Sequence, residues 1–202
     1  MANRKFVLNG ELFMAVLTLE QPAATAEELI ERLYRTEGKA EIINGEIVEF
    51  MATGCDPGIA ALNVVFNLKN YEKKIGKGFV VPDNVGFLVD LPHRKSFSPD
   101  AAFHTGKRTG MKFLEGAPIF AVEVRSENDY GKTAEKEIAE KRADYFAAET
   151  EIVWDVDLLS KDVIKSYIRD NPNEPRIFRR GDVADAEPAL PGWKMPVDEL
   201  FD

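Results

Sequence analysis

The fold that this chain can adopt is constrained most by two short apolar runs, each of which contains one acidic residue. Asp100 lies in the run SPDAAF, residues 98–103, and Glu123 lies in IFAVEVR, residues 119–125. Both runs are typical of buried β-strands, in which an uncompensated carboxylate is costly. Neighbouring strands could bring the two acids side by side, where a divalent cation would supply the missing positive charge, because Mg²⁺ takes oxygen ligands from one or two carboxylates. The pair therefore predicts a sheet that carries a metal site.

Helix and turn signals around these runs predict a mixture of helices and strands. Thr25 and Glu28 have the spacing of a capping box for a helix that ends near residue 36. Asn44 and Gly45 separate two alternating runs, which predicts a β-hairpin over residues 40–50. Two longer helices are predicted over residues 56–75 and 133–148, and strands over residues 79–81, 85–90, 100–104, 119–125, 151–155, 162–169 and 176–179. Together they predict an α/β or α+β fold in which helices flank a mixed sheet.

The length of 202 residues suits a single domain over residues 1–202. We expect residues 1–20 to be an N-terminal extension and residues 186–202 a C-terminal docking tail. Cys55 is the only cysteine, so no intramolecular disulfide can form, and this favours a reducing cytoplasm. No apolar run approaches the roughly eighteen residues of a membrane span, so we expect no membrane partner. The formal net charge of −9 argues mildly against non-specific coating of nucleic acid, but it leaves a local basic groove open.

A charged residue interrupts the apolar face of the second predicted long helix. At about 100° per residue, Lys141 falls on the same face as Ile138 and Tyr145. One interpretation is a snorkelling lysine, whose stem covers apolar surface while the ammonium reaches water. The other is a functional cation beside the two acids. Glu41 also has two interpretations. It is either a further functional acid or an outward-facing strand residue, which its alternation with Ile42 permits.

Five fragments of the chain carry a family resemblance. They are AEIINGEIVEF with Glu41, SPDAAF with Asp100, APIFAVEVRSEND with Glu123, EKRADYF with Lys141 and Tyr145, and EIVWDVD. In order and spacing they resemble the Uma-two-type restriction endonucleases, a family numerous in cyanobacteria that belongs to the PD-(D/E)XK nuclease superfamily. The resemblance covers about residues 17–167. It implies a restriction-endonuclease-like mixed β-sheet flanked by helices, with additional strands in the C-terminal part.

The resemblance also implies an activity, the metal-dependent hydrolysis of DNA phosphodiester bonds by an endonuclease. Asp100 and Glu123 would bind Mg²⁺ or Mn²⁺, and the backbone carbonyl of Val124 would be a further ligand. Glu41 matches the extra acidic position of the family and would hold the metal through water. DNA is then the expected substrate, and a homodimer is an expected assembly because many nucleases of this fold cut two strands.

Two departures from the family pattern leave alternatives open. Arg125 stands two residues after the second acid, where the superfamily has a lysine, and an arginine cannot act as a base. Lys141 would take the place of that lysine as the catalytic cation, with Arg125 assisting. A histidine that family members often carry is absent from residues 54–58. The alternatives are a nuclease-fold module that binds nucleic acid or a protein without cleavage, and a purely structural set of buried ion pairs.

Overall fold

The computed structural model describes residues 5–8, 11–14 and 24–202. Its α-helices are α1 (Ala26–Leu33), α2 (Cys55–Ile75) and α3 (Lys132–Ala147), and a 3₁₀-helix covers Val197–Phe201. Among the described residues, these helices accompany a six-stranded mixed sheet, three two-stranded sheets and one three-stranded sheet. The predicted α+β class, with helices that flank a mixed sheet, is therefore confirmed.

The strands follow one another along the whole described chain. They are β1 (Lys5–Leu8), β2 (Glu11–Met14), β3 (Ala40–Ile43), β4 (Glu46–Glu49), β5 (Phe79–Pro82), β6 (Phe87–Leu88), β7 (Ser96–Phe97), β8 (Ala101–His104), β9 (Leu114–Glu115), β10 (Phe120–Val124), β11 (Ile152–Val156), β12 (Ile164–Ile168), β13 (Asn171–Phe178), β14 (Val183–Asp185) and β15 (Lys194–Pro196). The six-stranded sheet has the order β13-β12-β11-β10-β8-β5. Only its β10–β11 pair is parallel, and α3 makes the crossover between these two strands.

Local sequence signals explain the first helix and hairpin. The hydroxyl of Thr25 accepts a hydrogen bond from the Glu28 amide, and the Glu28 carboxylate accepts one from the Thr25 amide, at 3.2 and 2.9 Å. This is the predicted capping box, and α1 follows it directly. Between β3 and β4, Asn44 and Gly45 have φ values of 52° and 77°, which a two-residue hairpin turn of type I′ requires.

The central sheet separates two apolar layers, because successive side chains of a strand point to opposite faces. On one face, Phe120 and Val122 of β10 pack in a cluster with Val64 and Leu68 of α2. On the other face, Ala121 packs in a cluster with Tyr145 of α3. Glu123 alternates with Val122 and therefore lies on the α3 side of the sheet.

The C-terminal segment joins the same core as α2. Trp193, Met195 and Leu200 are buried, and the Trp193 ring lies 5.2 Å from the Trp154 ring between centroids. The single domain over residues 1–202, with its docking tail over residues 186–202, stays a prediction. The proposed extension over residues 1–20 lies outside the described residues, apart from the backbone of β1 and β2. Within the part of the chain that the structure describes, none of the helices has the length and apolar character needed to cross a bilayer.

Candidate active site

Asp100 and Glu123 lie at the same end of two neighbouring strands. Asp100 directly precedes β8, and Glu123 is the fourth residue of β10. The antiparallel ladder pairs Val122 with Ala101, so one further step places Glu123 opposite Asp100. Residues that oppose each other in a ladder share a face of the sheet. The sheet therefore brings the two predicted acids together on its α3 side.

Each Asp100 oxygen has one close partner. The backbone N–H of Val124 donates to Oδ2 at 2.7 Å, and Nζ of Lys39 donates to Oδ1 at 2.5 Å. The same ammonium lies 2.8 Å from Oδ1 of Asp83. Burial opposes the charge of Lys39, but Asp100 and Glu123 outweigh burial and raise the pKa of this lysine. Asp100 lies beside the Val124 backbone, whose carbonyl stays a predicted metal ligand.

Glu123 accepts two hydrogen bonds at one oxygen. The Tyr145 hydroxyl donates to Oε1 at 2.6 Å, and Nζ of Lys141 lies 2.9 Å from the same atom. Burial raises the pKa of the Glu123 carboxyl, and the nearby charges of Asp100 and Glu41 raise it further against the effect of Lys141. Burial together with the two nearby acids therefore outweighs the lysine at this carboxyl.

Glu41 is completely buried, with 0% of its surface exposed. Its Oε1 accepts from the Ser98 amide at 2.9 Å and lies 3.0 Å from Nζ of Lys141, while Arg94 pairs with its Oε2. Lys141 and Arg94 outweigh the effect of burial and lower the pKa of this carboxyl. The interpretation of Glu41 as an outward-facing strand residue is therefore wrong. The snorkelling interpretation of Lys141 is wrong as well, because its ammonium bridges Glu41 and Glu123 instead of reaching water.

Further charged residues contact Arg94, the partner of Glu41 Oε2, or contact each other beside it. Nε of Arg94 donates to Oδ2 of Asp144 at 2.7 Å, and Nε2 of His93 lies 2.7 Å from the other oxygen of Asp144. Sequence reasoning missed Arg94, Asp144 and Lys39. Asp144 was detectable, since it stands three residues after Lys141 and so shares its helix face. Arg94 and Lys39 lie outside regular elements and follow no periodic pattern.

Arg125 lies on the same face of the sheet as Glu123, which precedes it by two residues. Its ion-pair partners, however, are different acids. Its guanidinium donates to both oxygens of Asp155 at 2.7 and 2.8 Å, and it also pairs with Glu135 of α3. The hydrogen bonds that Arg125 donates to Asp155, with those to Glu135, raise the pKa of Arg125 despite its burial. The structure thus sets Asp100 opposite Glu123, joins Glu123 to Glu41 through Lys141, and ties Arg125 to Asp155 and Glu135.

Two neighbouring groups of ion pairs form an acidic network whose charge balance fits a divalent cation. Lys39 pairs with two carboxylates in one group, and Lys141 and Arg94 pair with three in the other. Together the groups are two positive charges short of balance, and their carboxylates belong to Asp83, Asp100, Glu123, Glu41 and Asp144. No group of three His, Cys, Asp or Glu side chains within the described residues is arranged to hold a metal ion alone. Mg²⁺ is commonly held by one or two carboxylates together with water and substrate phosphates. The residues therefore fit a two-carboxylate site at Asp100 and Glu123, and not a closed protein cage.

A cleft of about 290 Å³ gives access to Asp100. Its lining includes Pro57, Gly58 and Leu62 from the first turns of α2, together with Asp83 and Asp100. A ligand that enters the cleft would thus meet a carboxylate of the candidate metal site.

Comparisons with known proteins agree with this fold. The model of the Uma2 family, "Putative restriction endonuclease", matches residues 26–198, so the chain belongs to this family. The chain is also similar to a solved structure, "a putative nuclease belonging to DUF820 from Anabaena variabilis ATCC 29413", with a TM-score of 0.66 and 13% sequence identity. The match covers 86% of this chain and 97% of that chain, and at this identity it shows a shared fold. No curated protein matches the chain.

Proposed function

We propose that this protein is an endonuclease that hydrolyses DNA phosphodiester bonds with the help of Mg²⁺ or Mn²⁺. The observation that carries the proposal is the grouping of Asp100, Glu123 and Lys141, in which Nζ of Lys141 lies 2.9 Å from Glu123 at the acidic end of β10. Membership in a family of restriction endonucleases supports a nuclease. We include a homodimer in this proposal, because an enzyme that cuts both DNA strands would need two active sites.

In this proposal Asp100 and Glu123 hold the metal ion, with the carbonyl of Val124 as a further ligand and Glu41 acting through water. When bound, the ion polarises the scissile phosphate and lowers the pKa of the attacking water. Val124 also orients Asp100, because its N–H donates to Oδ2 at 2.7 Å. Tyr145 orients Glu123 in the same way, through its hydroxyl at 2.6 Å.

Lys141 supplies a fixed positive charge for the negative charge that develops on the phosphate during the reaction. Burial disfavours its ammonium, but Glu123 and Glu41 outweigh burial and raise its pKa. Lys141 therefore stays protonated and acts as a cation, and not as a base. Glu41 holds Lys141 in place, since Arg94 fixes Oε2 of the Glu41 carboxylate and the Ser98 amide fixes Oε1, the oxygen that Lys141 contacts. The predicted assistance of Arg125 would be indirect, through the contacts that join it to Asp155 and Glu135.

One observation favours the alternative of a module that binds without cleavage. The position where the superfamily carries its lysine is occupied by Arg125, and this guanidinium is bound to Asp155 and Glu135. A module of this kind would bind nucleic acid or a protein partner in EDTA and would show no turnover with any divalent metal.

The first test is calorimetric titration of Mn²⁺ and Mg²⁺ into the wild type and Asp100→Ala. We expect binding by the wild type and its loss in Asp100→Ala, because the variant lacks one of the two carboxylates. Asp90→Ala is the matched control, since Asp90 is an exposed acid that pairs only with Lys95 among the ion pairs of the described residues. Asp90→Ala should bind metal like the wild type.

The second measurement is cleavage of plasmid and oligonucleotide DNA by the same three proteins. Asp100→Ala should lose cleavage while circular dichroism shows an intact fold. If Asp100→Ala binds Mn²⁺ or cuts DNA as well as the wild type, the proposed site is wrong. Metal-independent DNA binding without cleavage by the wild type would instead support the binding module.

A further inference from the structure

Lys39 binds a carboxylate of the candidate metal site and a second carboxylate beside it. Its ammonium lies 2.5 Å from Oδ1 of Asp100 and 2.8 Å from Oδ1 of Asp83, and its side chain is only 16% exposed. The other Asp100 oxygen, Oδ2, accepts from the backbone N–H of Val124. Oδ1 is therefore the Asp100 oxygen to which no backbone group of residues 24–202 donates, and it is the oxygen that Lys39 binds.

We propose that Lys39 is a built-in competitor of the divalent cation: its ammonium neutralises Asp100 in the absence of metal and yields Oδ1 when the ion binds. The inference rests on the proposed function, because it assumes that Asp100 is a metal ligand. The physical reason is that two cations cannot approach one carboxylate oxygen without strong repulsion. Each metal-binding event must therefore displace the lysine, and the displacement weakens the apparent metal affinity.

Asp83 makes this exchange feasible. A buried lysine that lost its only partner would be strongly destabilising. Lys39 keeps a second carboxylate, because Asp83 lies 2.8 Å away and its side chain is 45% exposed. Asp83 and Asp100 both line the cleft beside α2, so the released ammonium stays at the cleft wall. Asp83 thus acts as the alternative partner that the lysine retains after metal binding.

The test is Mn²⁺ titration by calorimetry into the wild type and Lys39→Met. Removal of the competing charge should tighten Mn²⁺ binding by about tenfold, the usual effect of one nearby charge on a carboxylate. A merely structural role of Lys39 would leave the affinity unchanged or weaken it. Lys95→Met is the matched control, because Lys95 is similarly covered and pairs with the exposed Asp90, outside the acidic network. Its Mn²⁺ affinity should equal that of the wild type.

Thermal unfolding provides a second readout. In EDTA, Lys39→Met should melt below the wild type, since Asp100 and Asp83 lose their shared cation. Saturating Mn²⁺ should raise the melting temperature of the variant more than that of the wild type, because the stabilisation of the folded state by a ligand grows with the logarithm of its affinity. If Lys39→Met does not fold, NMR of wild-type protein with ¹³C-labelled lysine replaces it. The assigned Lys39 Cε signal should then shift on Mg²⁺ addition while the Lys95 signal stays in place.

The outcomes separate this inference from the proposed function. Equal or weaker Mn²⁺ binding by a folded Lys39→Met, with binding by the wild type intact, would overturn the inference alone. An unchanged Lys39 signal at saturating Mg²⁺ would do the same. If neither the wild type nor Lys39→Met binds Mn²⁺, the metal site itself is wrong. Binding by Lys39→Met alone would support the competition strongly.

Discussion

Glu41 and Lys141 show how a fully buried carboxylate can position a cation. An unpaired buried charge is costly, and two cations together with a backbone N–H compensate Glu41. Arg94 holds Oε2 and the Ser98 amide holds Oε1, so the carboxylate is fixed and its Oε1 is a rigid acceptor for Lys141 as well. In the proposed function Glu41 would thus be a positioning residue for Lys141, and Lys141 would be the group that touches the substrate.

Lys141→Met tests this division of roles. We expect cleavage to fall by roughly 100-fold or more, the usual cost of one preorganised charge in an active site. The fold should persist, because Glu41 keeps Arg94 and the Ser98 amide. Lys136→Met is the control on the same helix, since Lys136 is exposed and pairs only weakly with Glu140 at 3.4 Å. Single-turnover cleavage assays compare the variants, and full activity of Lys141→Met would assign Lys141 a structural role.

At the scale of secondary structure, Arg125 connects three elements. It follows β10 directly, holds Asp155 of β11 through two hydrogen bonds, and pairs with Glu135 of α3. Removal of its guanidinium would leave Asp155, only 4% exposed, as a buried charge without its partner. Arg125→Met should therefore lower the free energy of unfolding by about 3–5 kcal/mol.

Arg176→Met is the matched control for Arg125→Met. Arg176 also binds a carboxylate with two hydrogen bonds, to Asp185 at 2.7 and 2.6 Å, but its own side chain is exposed. Exposed pairs contribute about 1 kcal/mol or less, so this variant should unfold nearly like the wild type. Urea denaturation followed by fluorescence gives both values. A stable Arg125→Met that has lost cleavage would show that the guanidinium acts on the reaction directly.

Elements with strong local signals could be predicted from the sequence, and those that depend on distant partners could not. The capping box before α1, the Asn-Gly turn between β3 and β4, and Gly76 after α2 each determine where a neighbouring element begins or ends. The strand predicted over residues 85–90 shrinks to β6, because its partners β7 and β9 are themselves only two residues long. The strand predicted over residues 176–179 begins earlier in the structure, at Asn171. The sequence did not indicate this start, because the first part of β13 is polar and exposed and lacks an apolar pattern.

At the scale of the whole molecule, the same distinction applies to the site. Asp100, Glu123 and Lys141 could be recognised because each is a charge within an apolar pattern. Lys39 could not, because its contact with Asp100 joins residues 61 positions apart, and Arg94 could not, because it meets Glu41 across 53 positions. Only the tertiary fold reveals such partners. The roles of all these residues in metal binding and catalysis stay predictions for the experiments above.

The stability of the whole molecule should also depend on pH, through His104. This residue of β8 is 4% exposed, and its ring lies between Phe79 and Phe87, at 5.5 and 5.4 Å between centroids. Burial lowers its pKa below the ordinary value of 6.5, because the charged imidazolium would lose its hydration. The unfolded chain therefore binds a proton that the folded protein resists. The stability that His104 contributes is complete above pH 6.5 and is lost as the pH falls through and below this value.

His104→Gln removes this titration and should flatten the acid side of the stability profile. Urea unfolding at about pH 8 and about pH 5 measures the loss, and His93→Gln, which keeps His104, should retain it. Glu123 acts in the opposite sense, because its raised pKa adds stability at low pH that is lost as the pH rises through that pKa. The difference between wild type and His104→Gln isolates the histidine, since Glu123 is common to both. If His104→Gln loses as much stability in acid as the wild type, another group causes the acid sensitivity.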